Sequence, residues 1–127
     1  MTNAQILTTS LNEWMSPIIE RALAANNSQM MGIIGSIISP QRLITAMKNN
    51  LGVPILERYI AKVPDAMIPA LAMELIDGMV ATRVEQGPLD IPMIGVRLTP
   101  DAFRNLKAIC EENFTTYKPQ SNKTDNT

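Results

Sequence analysis

The chain contains 127 residues, of which 11 are basic and 12 are acidic, so its formal net charge is −1. This length suits one domain with a hydrophobic core of ordinary size. The charges form no basic block that would hold a phosphate backbone, which argues against nucleic acid as the main partner. The single cysteine excludes an intramolecular disulfide. The first ten residues lack the basic and apolar regions of a signal peptide, so we expect a cytoplasmic protein.

The N-terminal segment has the pattern of an amphipathic helix. Thr2 and Gln5 have the spacing of a capping box, in which each side chain binds the backbone N–H of the other residue. Pro17 lacks a backbone N–H, so we expect either a kink there or a second helix that begins there with Ser16 as its N-cap. We predict a loop over residues 24–29. The apolar positions, at steps of three and four residues, are Leu7, Leu11, Trp14, Ile18, Ala22 and Ala25.

Residues 30–38 form an almost wholly apolar run. A helix of this length would span about 14 Å, less than half of the roughly 30 Å hydrocarbon core of a bilayer, so the run cannot cross a membrane. Glycine, which weakens an isolated helix, occupies two of the nine positions. Packing inside the fold or against a partner must therefore hold the run, and both alternatives are open.

Three further helices are predicted between residues 40 and 86. The first starts at Pro40 and ends near Gly52, which suits the left-handed conformation that often follows a helix. The second starts at Pro54, and the third covers residues 69–86, where a Gly-Pro pair stops it. The apolar stripe of the second helix consists of Ile55, Leu56, Tyr59, Ile60 and Val63. The side chains of the third helix that we expect to face inward are Ile68, Leu71, Ala72, Leu75, Ile76, Met79, Val80 and Val84.

The pattern changes over residues 89–98, where apolar and polar side chains alternate with a period of two. We predict short extended segments here. Residues 94–98 are the better strand, because Pro92 cannot donate a ladder hydrogen bond. Thr99 and Pro100 then start a last helix as its N-cap and first residue.

The predicted fold is mainly all-α. It is a compact bundle of about five or six short helices with one short extended or β segment near residues 89–98. We predict a single domain over residues 1–114. The polar tail that follows, residues 115–127, has too few apolar side chains to pack, so we expect it to be disordered.

Few side chains in this chain can carry chemistry. Histidine is absent, which removes most familiar hydrolase arrangements and zinc sites built on histidine and cysteine. Cys110 lies on the predicted apolar face of its helix, which favours a buried structural thiol over a nucleophile. Glu74 and Asp77 are three residues apart, but no further ligands accompany them. We therefore predict no catalytic residue, no metal site, no cofactor and no enzymatic activity.

The stretch MIGVRLTPDAFRNLKAIC, residues 93–110, resembles the strand and first helix of ribbon-helix-helix DNA-binding proteins. In that family the strand pairs with its twin across a dimer and enters the major groove. The resemblance implies that Gly95, Arg97 and Thr99 would face the bases. It covers under a fifth of the chain, and the polar tail stands where that family has its second helix. It supports an alternative function, a small DNA-binding regulator that uses Arg97 and Thr99.

The main functional prediction is a non-enzymatic assembly or adaptor protein. Every predicted helix already has its own apolar stripe, and the run at 30–38 adds more apolar surface than one compact core requires. We therefore expect a protein partner, either copies of the same chain in a homo-oligomer or a larger complex such as a phage particle or a bacterial machine. The residues predicted at this interface are Met30, Met31, Ile33, Ile34, Ile37, Ile38, Ile91, Met93 and Val96.

Overall fold

The computed structural model describes residues 1–30, 40–91 and 95–117. Within these ranges the chain forms five α-helices, one 3₁₀ turn and a two-stranded sheet, which confirms the mainly helical fold predicted from the sequence. In the described ranges, no helix has both the length and the apolar content needed to cross a bilayer. The elements are α1 (Asn3–Met30), α2 (Pro40–Asn50), α3 (Val53–Ile60), the 3₁₀ turn (Asp65–Met67), α4 (Ile68–Gln86), β1 (Leu89–Ile91), β2 (Val96–Leu98) and α5 (Pro100–Thr116).

Helix α1 begins at the predicted capping box. The N–H of Thr2 donates to Oε1 of Gln5 at 2.8 Å, and the N–H of Gln5 donates to Oγ1 of Thr2 at 3.1 Å. A second cap comes from a distant part of the chain, because Asp65 accepts the N–H of Asn3 at 3.0 Å and that of Ala4 at 3.3 Å. The side-chain amide of Asn3 in turn donates to the carbonyl of Asp65 at 2.9 Å. These bonds hold the 3₁₀ turn against the start of α1.

Helix α1 continues further than the sequence predicted. It passes through Pro17, so the predicted second helix is wrong, and the hydroxyl of Ser16 donates to the carbonyl of Asn12 at 2.9 Å. The loop predicted over residues 24–29 is also wrong, since α1 ends only at Met30. No glycine or proline interrupts that segment. Its alanine, asparagine and serine residues cost less than about 0.7 kcal/mol each in a helix, whereas a new helix needs a costly nucleus.

The predicted ends of the middle helices are confirmed closely. Gly52 adopts φ +72° after α2, and its N–H donates to the carbonyl of Asn49 at 3.2 Å, as expected for a left-handed helix end. Helix α4 begins one residue before the predicted start and ends at Gln86 as predicted. These agreements reflect the local action of glycine and proline on the backbone.

The extended segment predicted over residues 89–98 is an antiparallel hairpin. Leu89 lies opposite Leu98 and Ile91 lies opposite Val96, so the hairpin pairs within one chain. Gly95 has φ +66°, a conformation that residues with a side chain rarely adopt. Strand β2 is shorter than the predicted 94–98, whose first residue lies outside the described ranges.

Helix α5 packs against both α1 and α4. Its predicted N-cap is confirmed, because the Thr99 hydroxyl accepts the N–H of Ala102 at 3.3 Å. The rings of Trp14 and Phe103 lie 5.4 Å apart, and the indole N–H of Trp14 donates to the carbonyl of Ala102 at 2.9 Å. The helix extends two residues beyond the predicted domain end at 114, and tail residues 118–127 lie outside the described part of the chain. Completely or almost completely buried core side chains include Ile6, Met15, Ile19, Met47, Ile68, Leu98, Leu106 and Cys110.

Candidate functional site

The residues predicted at a protein interface fall into two groups. Ile91 and Val96 pair across the hairpin and are only 3% and 5% exposed, so they belong to the core of the single chain. Because strand side chains alternate between faces, the other face of the hairpin carries Asp90 and Arg97, which are exposed. Met30 is the last residue of α1. The other predicted interface residues, Met31, Ile33, Ile34, Ile37, Ile38 and Met93, lie outside the described ranges.

The two residues considered for DNA contact have partners within the chain. Nε of Arg97 lies 2.8 Å from Oδ1 of Asp90 on the neighbouring strand, and this hydrogen bond raises the pKa of Arg97. Thr99 caps α5. Strand β2 pairs with β1 of the same chain, whereas the family that this segment resembles pairs its strand with a second copy.

Cys110 belongs to a buried polar cluster between α1 and α5. The side-chain amide of Asn113 donates to Oγ of Ser10 at 2.9 Å and to Oε2 of Glu13 at 3.1 Å. The hydroxyl of Ser10 donates to the carbonyl of Ile6 at 2.8 Å. Burial raises the pKa of the Cys110 thiol to about 11, although a hydrogen bond with Ser10 opposes this rise. The thiol is therefore protonated at neutral pH and lacks the thiolate character of a nucleophile.

The carboxylates considered for metal binding do not form a cluster in the described ranges. Asp77 lies 2.9 Å from Nζ of Lys107 on α5, which joins α4 to α5 through an ion pair. Glu74 is exposed one turn away. Over the ranges that the structure describes, no three acidic or cysteine side chains meet as a metal site would require.

A groove of about 710 Å³ lies between α1, β2 and α5. Pro17, Ile18 and Ile109 contribute apolar surface to it. Of the three charged residues in its lining, Arg97 and Asp101 form ion pairs with residues beside them. The lining therefore provides mainly apolar surface and few groups that could take part in catalysis.

Helix α3 exposes part of the apolar stripe predicted for it. Ile55 is 66% exposed and Tyr59 is 54% exposed, so only part of this stripe is buried. The helix is held instead by Val53 and Ile60, which are buried. Since Ile55 and Tyr59 are four residues apart, they are neighbours on the helix surface. They form a continuous apolar contact area that no described side chain covers.

Basic residues surround this exposed apolar pair. Arg58 lies one turn after Ile55 on the helix, and Lys62 lies in the turn that follows the end of α3 at Ile60; both are exposed. Neither forms an ion pair within the described residues. Between residues 40 and 63 the chain carries four basic side chains and one acidic one. We call Ile55, Arg58, Tyr59 and Lys62 the α3 face.

The sequence contains a signal for the α3 face in the spacing of its apolar residues. Apolar residues in this segment follow two stripes, one through Ile55 and Tyr59 and another through Leu56, Ile60 and Val63. A short helix that packs mainly against one neighbour, here α2, can bury only one stripe fully. The second stripe then remains at the surface.

Comparison of the chain with models of known protein families, with curated proteins and with solved structures finds no match.

Proposed function

We propose that this protein is a non-enzymatic assembly or adaptor protein that acts through protein–protein contacts and associates with further copies of itself. The observation that carries the proposal is the exposure of Ile55 and Tyr59 side by side on α3. Single exposed apolar residues are normal on a protein surface, whereas a contiguous apolar patch with a polar rim is typical of an interaction site.

The composition of the α3 face supports binding to a protein. Tyrosine and arginine are enriched at protein interfaces, where the tyrosine ring buries a large area at a small cost in side-chain entropy. Arg58 and Tyr59 each lie one turn from Ile55, which extends the apolar surface of Tyr59. A partner that covers Ile55 and Tyr59 would gain about 25 cal/mol of favourable free energy for each Å² of apolar surface removed from water.

The most reactive group of the described fold also favours a structural role. The Cys110 thiol is enclosed, and its raised pKa keeps it protonated. Its hydrogen-bond partner Ser10 also accepts a hydrogen bond from the side-chain amide of Asn113, and this bond joins α1 to α5. This cluster therefore contributes to folding, while the α3 face remains available to a partner.

The experiment is light scattering coupled to size-exclusion chromatography over a range of protein concentrations. The wild-type protein should show a mass above the 14.0 kDa of one chain, and this mass should rise with concentration. Tyr59→Ala should shift the mass towards that of one chain. Tyr117→Ala is the matched control, because Tyr117 is also exposed but lies at the end of α5.

Self-association would be refuted if the mass of the wild-type protein stays at 14.0 kDa up to about 100 μM. Contacts of about −5 to −6 kcal/mol are already detectable at that concentration. Equal losses of mass in Tyr59→Ala and Tyr117→Ala would show that association does not use the α3 face. Circular dichroism of each variant establishes that the fold is retained, as expected for substitutions at exposed positions.

A further inference from the structure

We infer, on the basis of the proposed function, that the α3 face of one copy binds the exposed side of α4 on a second copy. We call Glu74, Gly78, Ala81 and Glu85 the α4 face. These residues follow one another at steps of three and four along the helix, and all four are exposed. Copies would then associate head to tail, each using its α3 face and its α4 face for different neighbours.

The charges of the two faces are complementary. Helix α4 carries three carboxylates and one basic side chain. Asp77 is occupied by Lys107, but neither Glu74 nor Glu85 forms an ion pair within the described residues. The α3 face presents Arg58 and Lys62, which also lack such partners. Opposite charges across an interface accelerate encounter and fix its orientation.

The shapes of the two faces also suit each other. Gly78 and Ala81 lie between the two glutamates. Apart from the chain neighbours of Gly78 and the backbone of its own helix, no atom lies within 4 Å of the position that a Cβ there would occupy. Small side chains here leave room for the projecting side chains of Ile55 and Tyr59. Val84, which is 63% exposed, adds apolar surface beside the α4 face.

The same charges disfavour a symmetric contact of the α3 face with itself. Two copies of Arg58 and Lys62 would face each other in such a dimer, and like charges oppose association. Helix α3 packs mainly against α2, whereas α4 packs against α5 and α1, so the two faces belong to different parts of the fold. A contact between unlike faces leaves one of each free at the ends of every open assembly, which allows growth beyond two chains.

The test uses two variants, each of which blocks one of the two faces with a glutamate. Tyr59→Glu places a negative charge in the apolar centre of the α3 face, and Ala81→Glu places bulk and charge in the small-residue part of the α4 face. Both positions are exposed and glutamate is a good helix former, so both variants should fold. Each change should raise the concentration needed for half-association by about tenfold or more, as removal of central contacts does in other interfaces.

The decisive measurement is sedimentation velocity of an equimolar mixture of the two variants. Tyr59→Glu retains a working α4 face and Ala81→Glu retains a working α3 face, so the mixture should form assemblies of two chains and stop there. The wild-type protein should continue to larger sizes, and its association should weaken with salt, because the Debye length falls from about 10 Å at 0.1 M to about 3 Å at 1 M. Tyr117→Glu serves as the control and should behave as the wild type.

The other outcomes separate this inference from the proposed function. If Tyr59→Glu prevents association and Ala81→Glu does not, the α3 face mediates contact but α4 is not its partner, and only the inference fails. A mixture that remains as single chains while both variants are folded would also overturn head-to-tail pairing. A wild-type protein that is monomeric, and binds phosphatidylserine vesicles through Tyr59, would overturn both proposals in favour of a membrane surface.

Discussion

The carboxylate of Asp65 should stabilise the protein by capping the first turn of α1 across a gap of 62 residues in sequence. It accepts the N–H groups of Asn3 and Ala4, which have no partner within the helix. Asn3 is only 8% exposed, so if the Asp65 carboxylate is removed, water is a poor replacement as acceptor for the N–H of Asn3. A lost cap costs about 1 kcal/mol, and loss of a negative charge at a helix N-terminus costs about 0.5 kcal/mol more.

Asp65→Ala should therefore lower the free energy of unfolding by about 1.5 kcal/mol, which corresponds to a fall in Tm of about 6 °C for a chain of this size. Asp65→Asn should lose about half as much, because the amide keeps one oxygen acceptor but not the charge. Urea unfolding can be followed by the fluorescence of Trp14, the single tryptophan. The 62-residue separation makes this a test of tertiary contact as well as of helix capping.

Glu112→Ala is the control for Asp65→Ala, since Glu112 is an exposed carboxylate in the body of α5. Its substitution should change stability by less than about 0.5 kcal/mol. If Asp65→Ala costs no more than this control, the start of α1 is held by its local capping box alone. The assignment of a long-range cap would then be refuted.

Three further substitutions test the core. Asn113→Ala should cost about 2 kcal/mol in urea unfolding, because its bonds to Ser10 and Glu13 are lost together; an unchanged midpoint would contradict this. Met47→Ala should cost about 3 kcal/mol, since Met47 is fully buried and anchors α2; a cost below 1 kcal/mol would mean that α2 is loosely attached. The pKa of the Cys110 thiol is about 11 in the folded protein, compared with its ordinary value of 9.0, so the unfolded chain loses this proton at lower pH. The free energy of unfolding should therefore fall as the pH rises from 9.0 to about 11. Cys110→Ala should lack this part of the decline, and an identical pH profile in both proteins would refute the raised pKa.

The sequence by itself determined where several helices begin or end, because capping and chain breaking act over a few residues. Thr2 and Gln5, Gly52, and Thr99 mark ends that the structure confirms. The apolar alternation over residues 89–98 likewise indicated extended structure. Local rules were weaker for the second half of α1, where residues of modest helix propensity were mistaken for a loop.

The tertiary structure alone decided which apolar stripe of α3 is covered and which is exposed. Both stripes have similar residues, and the choice depends on where α2 and the rest of the core lie around the helix. The cap by Asp65 and the pairing of Ile91 with Val96 within one chain are also tertiary outcomes. Each depends on contacts between segments that meet only after folding, and the strength of such contacts is not encoded in a local pattern. The candidate interface therefore shifted from the predicted hairpin residues to Ile55 and Tyr59, because burial is a property of the whole fold.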